Sequence, residues 1–188
     1  MKKFVAVLAL VLLASLVAVG QDKASVFGGW QYLSVGTGGS GLDRINAPKG
    51  FDFDLGVNLH KNVALVGDFS LSSKTESQTI EGITGSASTR ITNFLFGPRF
   101  QASTGKVTPF AEALFGVAHS SAKASATGIG SVDLGSENDF AFAFGGGLDV
   151  NATKNVALRL GKLDYEIVKV DGGHLNNFRY ATGIVFKF

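Results

Sequence analysis

Apolar and polar residues alternate one by one along much of this chain, as they do in strands whose two faces meet different surroundings. The alternation is cleanest in residues 51–59, where Phe51, Phe53, Leu55, Val57 and Leu59 are interleaved with Asp52, Asp54, Gly56 and Asn58. The last twelve residues repeat it, with Phe178, Tyr180, Ile184, Phe186 and Phe188 on one face and Arg179 and Lys187 on the other. The pattern predicts amphipathic β-strands.

About eight such segments follow one another. Besides the two above, they cover Val26–Val35, 63–71, Ile91–Gln101, Val107–Ala118, 140–150 and Val156–Ile167. In the seventh segment the alternation changes phase around Gly161 and Lys162, which predicts a β-bulge there. Because the segments fill nearly the whole chain, the sequence predicts an all-β protein.

The lengths of the links between segments alternate strictly. Links around His60, Ser103 and Ala152 are short, whereas those at Gly36–Gly50, Lys74–Arg90, Ser120–Asn138 and Val168–Leu175 are mostly longer and rich in Gly, Ser, Thr and Ala. A transmembrane barrel has short turns at one end and long loops at the other, whereas a soluble Greek-key sandwich has no reason to alternate them. We therefore predict an eight-stranded antiparallel up-and-down transmembrane β-barrel, with the four long links as exposed loops.

The first twenty residues differ from the rest. Lys2 and Lys3 precede an apolar run that ends at a small-residue stretch, Ala18-Val19-Gly20, which is the layout of a cleaved secretory signal peptide. We expect a signal peptide at 1–20 and a single barrel domain at 21–188. The chain has no cysteine, and its net charge of +2 comes from dispersed residues, so neither disulfides nor nucleic-acid binding is expected.

Several segments resemble the OmpA/OmpX-type outer-membrane β-barrel domain family, notably Val26–Leu33, Leu65–Ser70, Phe94–Phe100 and Val107–Val117, together with Gly145–Asp149, Leu158–Leu160 and Asp164–Tyr165. The resemblance implies an eight-stranded barrel in the outer membrane of a Gram-negative bacterium. It also implies insertion by the outer-membrane assembly machinery, with Phe188 as the terminal aromatic signal. It implies no particular activity. Because the sequence stops at Phe188, we expect no wall-binding domain, and we expect a monomer.

The face assigned to the interior carries most of the charged residues of the strands. An eight-stranded barrel is only about wide enough for side chains to fill it, and charges removed from water must pair. We therefore expect an acid–base network that plugs the lumen, with Arg99, Arg159 and Arg179 making forked hydrogen bonds. Its predicted members are Asp52, Asp54, Asp68, Arg99, Glu112, Asp149, Arg159, Arg179 and Lys187.

The opposite face is aromatic and is expected to contact outer-membrane lipid. The residues predicted to face lipid are Phe53, Phe69, Phe94, Phe96, Phe142, Phe144 and Phe186.

These observations favour a non-enzymatic protein with a structural or surface-interaction role, whose surface ligand the sequence does not specify. No catalytic, cofactor-binding or metal-binding residues are predicted, since the three histidines are isolated. The alternative is a narrow channel for ions or small solutes through the lumen. A third reading is a lipid A-modifying enzyme that uses His119, Ser121 and Glu137, because a serine nucleophile needs a base and an orienting acid.

Overall fold

Eight antiparallel strands form one closed barrel in the computed structural model, which describes residues 24–36, 44–80, 83–126, 130–170 and 172–188. The strands are β1 (Ala24–Gly36), β2 (Arg44–His60), β3 (Val63–Ile80), β4 (Ile83–Gln101), β5 (Val107–Ala126), β6 (Gly130–Asn151), β7 (Val156–Val170) and β8 (Gly173–Lys187). The predicted eight-stranded up-and-down barrel is thus confirmed. The predicted signal peptide lies outside the described residues.

Each strand pairs with its neighbours in the chain, and β1 closes the ring by pairing with β8 from Ser25–Lys187 to Val35–Asn177. Closure matters because backbone N–H and C=O groups in hydrocarbon have no water to bond, so every edge within the membrane must be paired. The described residues contain no helix, and so none that is long and apolar enough to cross a membrane.

The alternation in the sequence becomes the division between inside and outside. On β2, Asp52 and Asp54 are fully buried, whereas Phe51 and Leu59 are 47% and 69% exposed. The seven phenylalanines predicted to face lipid all lie on the outer surface, on the face opposite the buried residues of their strands. Several of them contact other aromatic rings across strands, such as Phe69 with Phe94 and Phe96 with Phe115. These contacts build an apolar band of the kind that surrounds membrane barrels.

Three of the predicted long loops are wrong. At 168–175, β7 and β8 pair as far as Val170–Gly173, and the other two links form longer strand extensions. Residues 74–90 and 120–138 belong mostly to paired strands: β3 and β4 pair as far as Ile80–Ile83, and β5 and β6 as far as Ala126–Gly130. Cross-strand hydroxyl contacts accompany this pairing, including Ser86 Oγ with Ser125 Oγ at 2.7 Å. These segments are rich in Ser, Ala, Gly and Thr and lack the alternation of apolar and polar residues seen in the other strands. The alternation is absent because neither face of these extensions is buried in a core.

The extensions form a four-stranded sheet beyond the barrel proper. β4 and β5 remain paired up to Gly85–Ala126, so β3, β4, β5 and β6 continue side by side. β5 and β6 are 20 and 22 residues long, about twice the 9–11 residues that a strand needs to cross a bilayer. We call residues 74–80, 83–90, 120–126 and 130–139 the protruding sheet.

The predicted bulge in the seventh strand is confirmed. The pairing of β7 with β8 shifts between Arg159 and Lys162, and its pairing with β6 shifts between Leu148 and Asp149. Tyr180 Oη donates to the Leu160 carbonyl at 3.0 Å, and Thr182 Oγ1 donates to the Arg159 carbonyl at 2.9 Å. The bulge therefore places Arg159 and Lys162 on the same interior face, although an odd number of steps separates them.

Phe142→Arg tests the assignment of the outer face. An arginine near the bilayer midplane should lower the free energy of unfolding by roughly 2–4 kcal/mol, measured by urea titration in phospholipid bilayers. Ser77→Arg is the matched control, because it introduces the same side chain on the exposed protruding sheet and should change stability by less than about 0.5 kcal/mol. An unaffected Phe142→Arg barrel would show that this position does not face lipid.

Candidate functional site

The interior of the barrel is filled by ionisable side chains. Seven carboxylates and four cations are buried there among the described residues: Asp52, Asp54, Asp68, Glu112, Asp149, Asp164 and Glu166 with Arg99, Arg159, Lys162 and Arg179. We call this set the lumen network. Cross-strand register brings opposite charges face to face at Arg99–Glu112, Asp149–Arg159 and Asp164–Arg179, the arrangement that stabilises neighbouring strands.

Lys162 stands at the centre of this network. Its Nζ lies 2.6 Å from Asp68, 2.7 Å from Asp52 and 3.1 Å from Asp54, with Glu112 and Asp164 at 3.8 and 3.9 Å. A compact ammonium can face several carboxylates at once because it carries its charge at one point and its donors rotate. Five carboxylates from β2, β3, β5 and β7 are therefore tied to one side chain.

In the part of the chain that the structure describes, two carboxylate triads have the spacing of metal ligands: Asp52, Asp54 and Asp68, and Asp68, Glu112 and Asp164. Every member of both triads lies within ion-pair distance of Lys162 Nζ. The ammonium thus supplies the positive charge that a hard cation would bring to these oxygens. The geometry favours an internal ion network over a metal centre at this position.

Three arginines extend the network from the carboxylates around Lys162 to further partners. Arg159 makes a forked pair with Asp149, with its Nε and Nη2 donating at 2.8 and 3.2 Å. Arg99 instead divides its donors between Glu112 and Asp54, both at 2.6 Å. Arg179 Nη2 donates to Asp68 at 2.7 Å. The expected fork is thus present only for Arg159; Arg99 and Arg179 link carboxylates of different strands.

Asp54 is shared by three cations. It accepts hydrogen bonds from Arg99, Arg159 and Lys162. Hydrogen bonds to charged donors are shorter and stronger than neutral ones, and each further cation offsets the cost of burying this carboxylate. Asp54 therefore links Lys162 to Arg99 and Arg159, two residues that we call the arginine cluster.

Aromatic rings close one side of the arginine cluster. The Arg159 guanidinium lies over the rings of Phe27 and Phe110, at 4.3 and 4.5 Å from their centroids, and Arg99 lies 4.5 Å from the Phe110 centroid. Such cation–π contacts gain strength when they are desolvated. Both rings are buried, so they fill the lumen with apolar surface beside the guanidinium groups.

Glycines on β6 make room for these groups. A Cβ at Gly145 would collide with the Asp164 carboxylate and the Leu163 backbone, and one at Gly147 would lie 2.6 Å from the Phe110 ring. Both glycines are on the interior face of β6, between Ala143 and Asp149. Their lack of a side chain therefore allows the neighbouring strands to direct large groups into a narrow lumen.

Glu166 lies at one end of the lumen network, where two side-chain amides bind its carboxylate. Asn93 Nδ2 donates to its Oε1 at 2.8 Å, and Asn177 Nδ2 donates to its Oε2 at 2.9 Å. Arg179 Nη1 lies 3.6 Å from the same carboxylate. The polar contacts thus run continuously from Asp149 on one side of the lumen, through Asp54 and Lys162, to Glu166.

Eight of the nine residues predicted for the lumen are buried in it: Asp52, Asp54, Asp68, Arg99, Glu112, Asp149, Arg159 and Arg179. Lys187 lies apart, near the end of β8, where its Nζ donates to Asn151 Oδ1 at 2.6 Å. Phe188 exchanges backbone hydrogen bonds with Ala24 at the same end of the barrel. Lys187 is thus a rim residue, because the strand leaves the filled interior before its last charged side chain.

The sequence reasoning missed Lys162, Asp164 and Glu166. All three follow the bulge, where the interior face changes from odd-numbered to even-numbered positions. The phase change around Gly161 was a visible signal, and continuing the alternation beyond it would have placed these residues inside. Asn93 and Asn177 were missed because neutral amides on strands carry no comparable signal.

The serine-hydrolase arrangement is not assembled. His119 Nδ1 lies 2.8 Å from Asn138 Oδ1, so its ring is engaged with a neutral amide. Glu137 is opposite Ser120 in the pairing of β5 with β6, and alternation puts these two side chains on the face opposite that of His119 and Ser121. The acid is therefore on the wrong side of the sheet to orient His119 toward Ser121.

The closed barrel, its aromatic outer band and its charged interior define an outer-membrane β-barrel protein. A family model for the outer membrane protein beta-barrel domain matches residues 5–188. The chain belongs to this family, and its location is the outer membrane. The resemblance to OmpA/OmpX-type barrels is thereby confirmed.

Solved structures agree on the fold. Ail, the attachment invasion locus protein of Yersinia pestis, is 22% identical with a TM-score of 0.58, over 89% of this chain and all of its own. Neisserial surface protein A is 14% identical with a TM-score of 0.61, over 90% of this chain and 99% of its own. Ail in complex with the heparin analogue sucrose octasulfate matches at 20% identity with a TM-score of 0.57, over 89% and 100% of the two chains. A search of curated protein sequences found no match.

Lys162→Met tests the central role of the ammonium. Removing the charge leaves buried carboxylates without their shared partner, so we expect a loss of about 3–5 kcal/mol in the free energy of unfolding, measured by urea titration in micelles. Lys154→Met in an exposed turn is the control and should be near neutral. Adding Asp52→Asn to Lys162→Met should recover part of the loss, since the two residues are in contact. Strict additivity of the two substitutions would contradict this account.

Proposed function

We propose that this protein is a non-enzymatic outer-membrane barrel with a sealed lumen, which holds the protruding sheet at the cell surface as a binding element. The observation that carries the proposal is the lumen network, because it fills the only passage through an eight-stranded barrel. With the passage filled, the extracellular surface remains as the place where the protein meets other molecules.

The sealing follows from the direction of the contacts. Asp54 on β2 is bound to cations from β4 and β7, and Asp68 on β3 to cations from β7 and β8. These bonds span the interior instead of running along its wall. Opening a path would separate several buried ion pairs at once, and each separation leaves a desolvated charge behind.

Among the described residues, β3 and β6 are the two outer strands of the protruding sheet. β6 has no partner other than β5 over 130–139, because its described pairing with β7 begins at Phe140. On the other side, the described pairing of β3 with β2 ends at Ser73. Free edges expose backbone donors and acceptors to which an extended polypeptide can add as a further strand.

The β6 edge is acidic. It carries Asp133, Glu137 and Asp139, with Lys123 as a partner of Asp133 at 3.5 Å. Val132 and Leu134 are 60% and 63% exposed on the same edge. An added strand would therefore be favoured if it combined basic and apolar residues.

The comparison with Ail supports a surface role. Ail has been solved with sucrose octasulfate, a heparin analogue, so a barrel of this fold can bind a ligand. At 20% identity the likeness carries the fold, and the identity of the ligand does not follow from it.

The enzyme alternative has little support, because Glu137 and His119 are on opposite faces of the sheet. The channel alternative is favoured by one observation, the excess of carboxylates over cations in the lumen, seven to four. Some of these oxygens, including both of Asp164, accept no hydrogen bond from the described residues. A lumen of this polarity would select cations if it opened.

Planar-bilayer recording separates the sealed barrel from the channel. The purified wild-type protein should give no discrete, reproducible current steps, because the network spans the lumen. A boiled-against-unboiled shift in gel mobility on the same sample establishes that the barrel is folded. Discrete currents that change with Arg99→Ala or Glu112→Ala would replace the sealed-lumen proposal with the channel.

Peptide binding tests the β6 edge. A peptide that alternates Lys and Val should bind the folded wild-type protein more tightly than one that alternates Glu and Val, measured by fluorescence anisotropy. Asp133→Lys with Glu137→Lys should reverse the order, whereas Glu76→Lys on the β3 edge should leave it unchanged. Equal binding of both peptides, or reversal by the control, would rule out the β6 edge as the binding element.

A further inference from the structure

The outward face of the protruding sheet, together with the residues just below it on the same strands, has a composition unlike the rest of the barrel. Four rows of cross-strand neighbours rise above the lipid-facing row Phe69, Phe94, Val117 and Phe140. In order they are Leu71, Thr92, His119 and Asn138; Ser73, Arg90, Ser121 and Ser136; Thr75, Ser88, Lys123 and Asp133; and Ser77, Ser86, Ser125 and Ser131. Hydroxyl side chains hold most of these positions, and we call them the hydroxyl face.

The opposite face of the same sheet is different. It carries Ala87, Ala122 and Ala124 and the ion pair of Lys74 with Glu76 at 2.6 Å, and Thr89 and Ser120 are its described hydroxyl side chains. Solubility alone does not require this contrast, because both faces of the sheet lie beyond the barrel. The concentration of hydroxyls on the outward face therefore indicates a specific neighbour on that side.

The hydroxyl face continues directly from the aromatic band. Phe94 and Arg90 are on the same face of β4 with Thr92 between them, and Phe69, Leu71 and Ser73 follow in the same way on β3. A lipid whose chains pack against the phenylalanines must place its headgroup against the next rows of side chains. The neighbour of the hydroxyl face is thus the headgroup layer of the outer leaflet.

Two cations stand where that headgroup begins. Lys49 on β2 and Arg90 on β4 flank Ser73 in one row across three strands, and both are exposed. Neighbouring strands are about 4.8 Å apart, so the two cations are roughly 10 Å from each other. Charged donors of this kind bind phosphate oxygens, and the hydroxyl rows beyond them can exchange hydrogen bonds with a sugar.

We infer that the hydroxyl face is a binding surface for the phosphorylated saccharide headgroup of the outer-leaflet glycolipid, lipopolysaccharide. Lys49 and Arg90 contact the phosphates nearest the hydrocarbon, and the serine and threonine rows contact the core sugars above them. This surface includes Asp133, which also lies on the β6 edge. It uses outward side chains, however, and leaves the backbone of that edge and the opposite face of the sheet free, so the inference does not depend on the proposed function of the edge.

The test measures binding of fluorescently labelled lipopolysaccharide with an intact core, and of lipid A alone, to the folded protein in neutral detergent micelles. Lys49→Ala with Arg90→Ala should weaken the binding of both glycolipids roughly tenfold, given the usual attraction of a basic side chain to an anionic lipid surface. Lys61→Ala with Lys154→Ala removes the same charge from exposed turns at the other end of the barrel and should change neither affinity.

A second pair of substitutions tests the sugar contacts. Ser86→Ala with Ser125→Ala removes two hydroxyls from the row farthest from the lipid and should weaken binding of intact-core lipopolysaccharide severalfold, with no effect on lipid A. Unboiled gel mobility establishes that every variant is folded. The inference is overturned if Lys49→Ala/Arg90→Ala binds like wild type, if the turn control loses as much affinity, or if phosphatidylglycerol competes as well as lipopolysaccharide. It is also overturned if the serine pair leaves intact-core binding unchanged.

Discussion

The narrow interior of an eight-stranded barrel is the constraint on which the rest of this structure depends. Closing eight strands satisfies the backbone in lipid, but it leaves a lumen only about as wide as the side chains that point into it. Any charge placed there is desolvated and must find a partner across the lumen. The contacts of Lys162 with carboxylates from four strands are the direct consequence.

A bulge in β7 and glycines on β6 allow large charged side chains to fit into this narrow lumen. The bulge at Leu160 and Gly161 turns both Arg159 and Lys162 inward, which brings the arginine cluster and the ammonium to the same carboxylate, Asp54. The glycines on β6 leave the space that Asp164 and Phe110 occupy. A regular β7 would point Lys162 toward lipid, where a charge is costly, and would leave Asp52 and Asp68 without their nearest cation.

Most of the fold could be predicted from sequence because burial on one side of a strand enforces alternation. The segments around Phe53, Phe94 and Phe186 show it, and eight of nine expected lumen residues are buried inside. The prediction is wrong where the alternation changes phase and where neither face of a strand is buried. Lys162, Asp164 and Glu166 follow the phase change in β7. The strands of the protruding sheet are exposed on both faces, so their Ser-rich and Ala-rich sequence predicts loops instead of strands. Alternation predicts which charged side chains point into the lumen. It does not predict which of them pair, because pairing depends on the register and tilt of different strands.

The interior and the exterior of the barrel have different roles. Inside, each cation of the lumen network contacts more than one carboxylate, and these contacts hold the side chains in place. Outside, β3 to β6 extend well beyond the membrane whereas β1, β7 and β8 are short, at 13 or 15 residues. The protruding sheet is therefore attached along one side of a rigid, internally bonded barrel, and its outer strand β6 has no described β7 partner over 130–139. A stiff base of this kind lets a sheet of weak intrinsic β-propensity remain paired, because its register is already set by the strands below it.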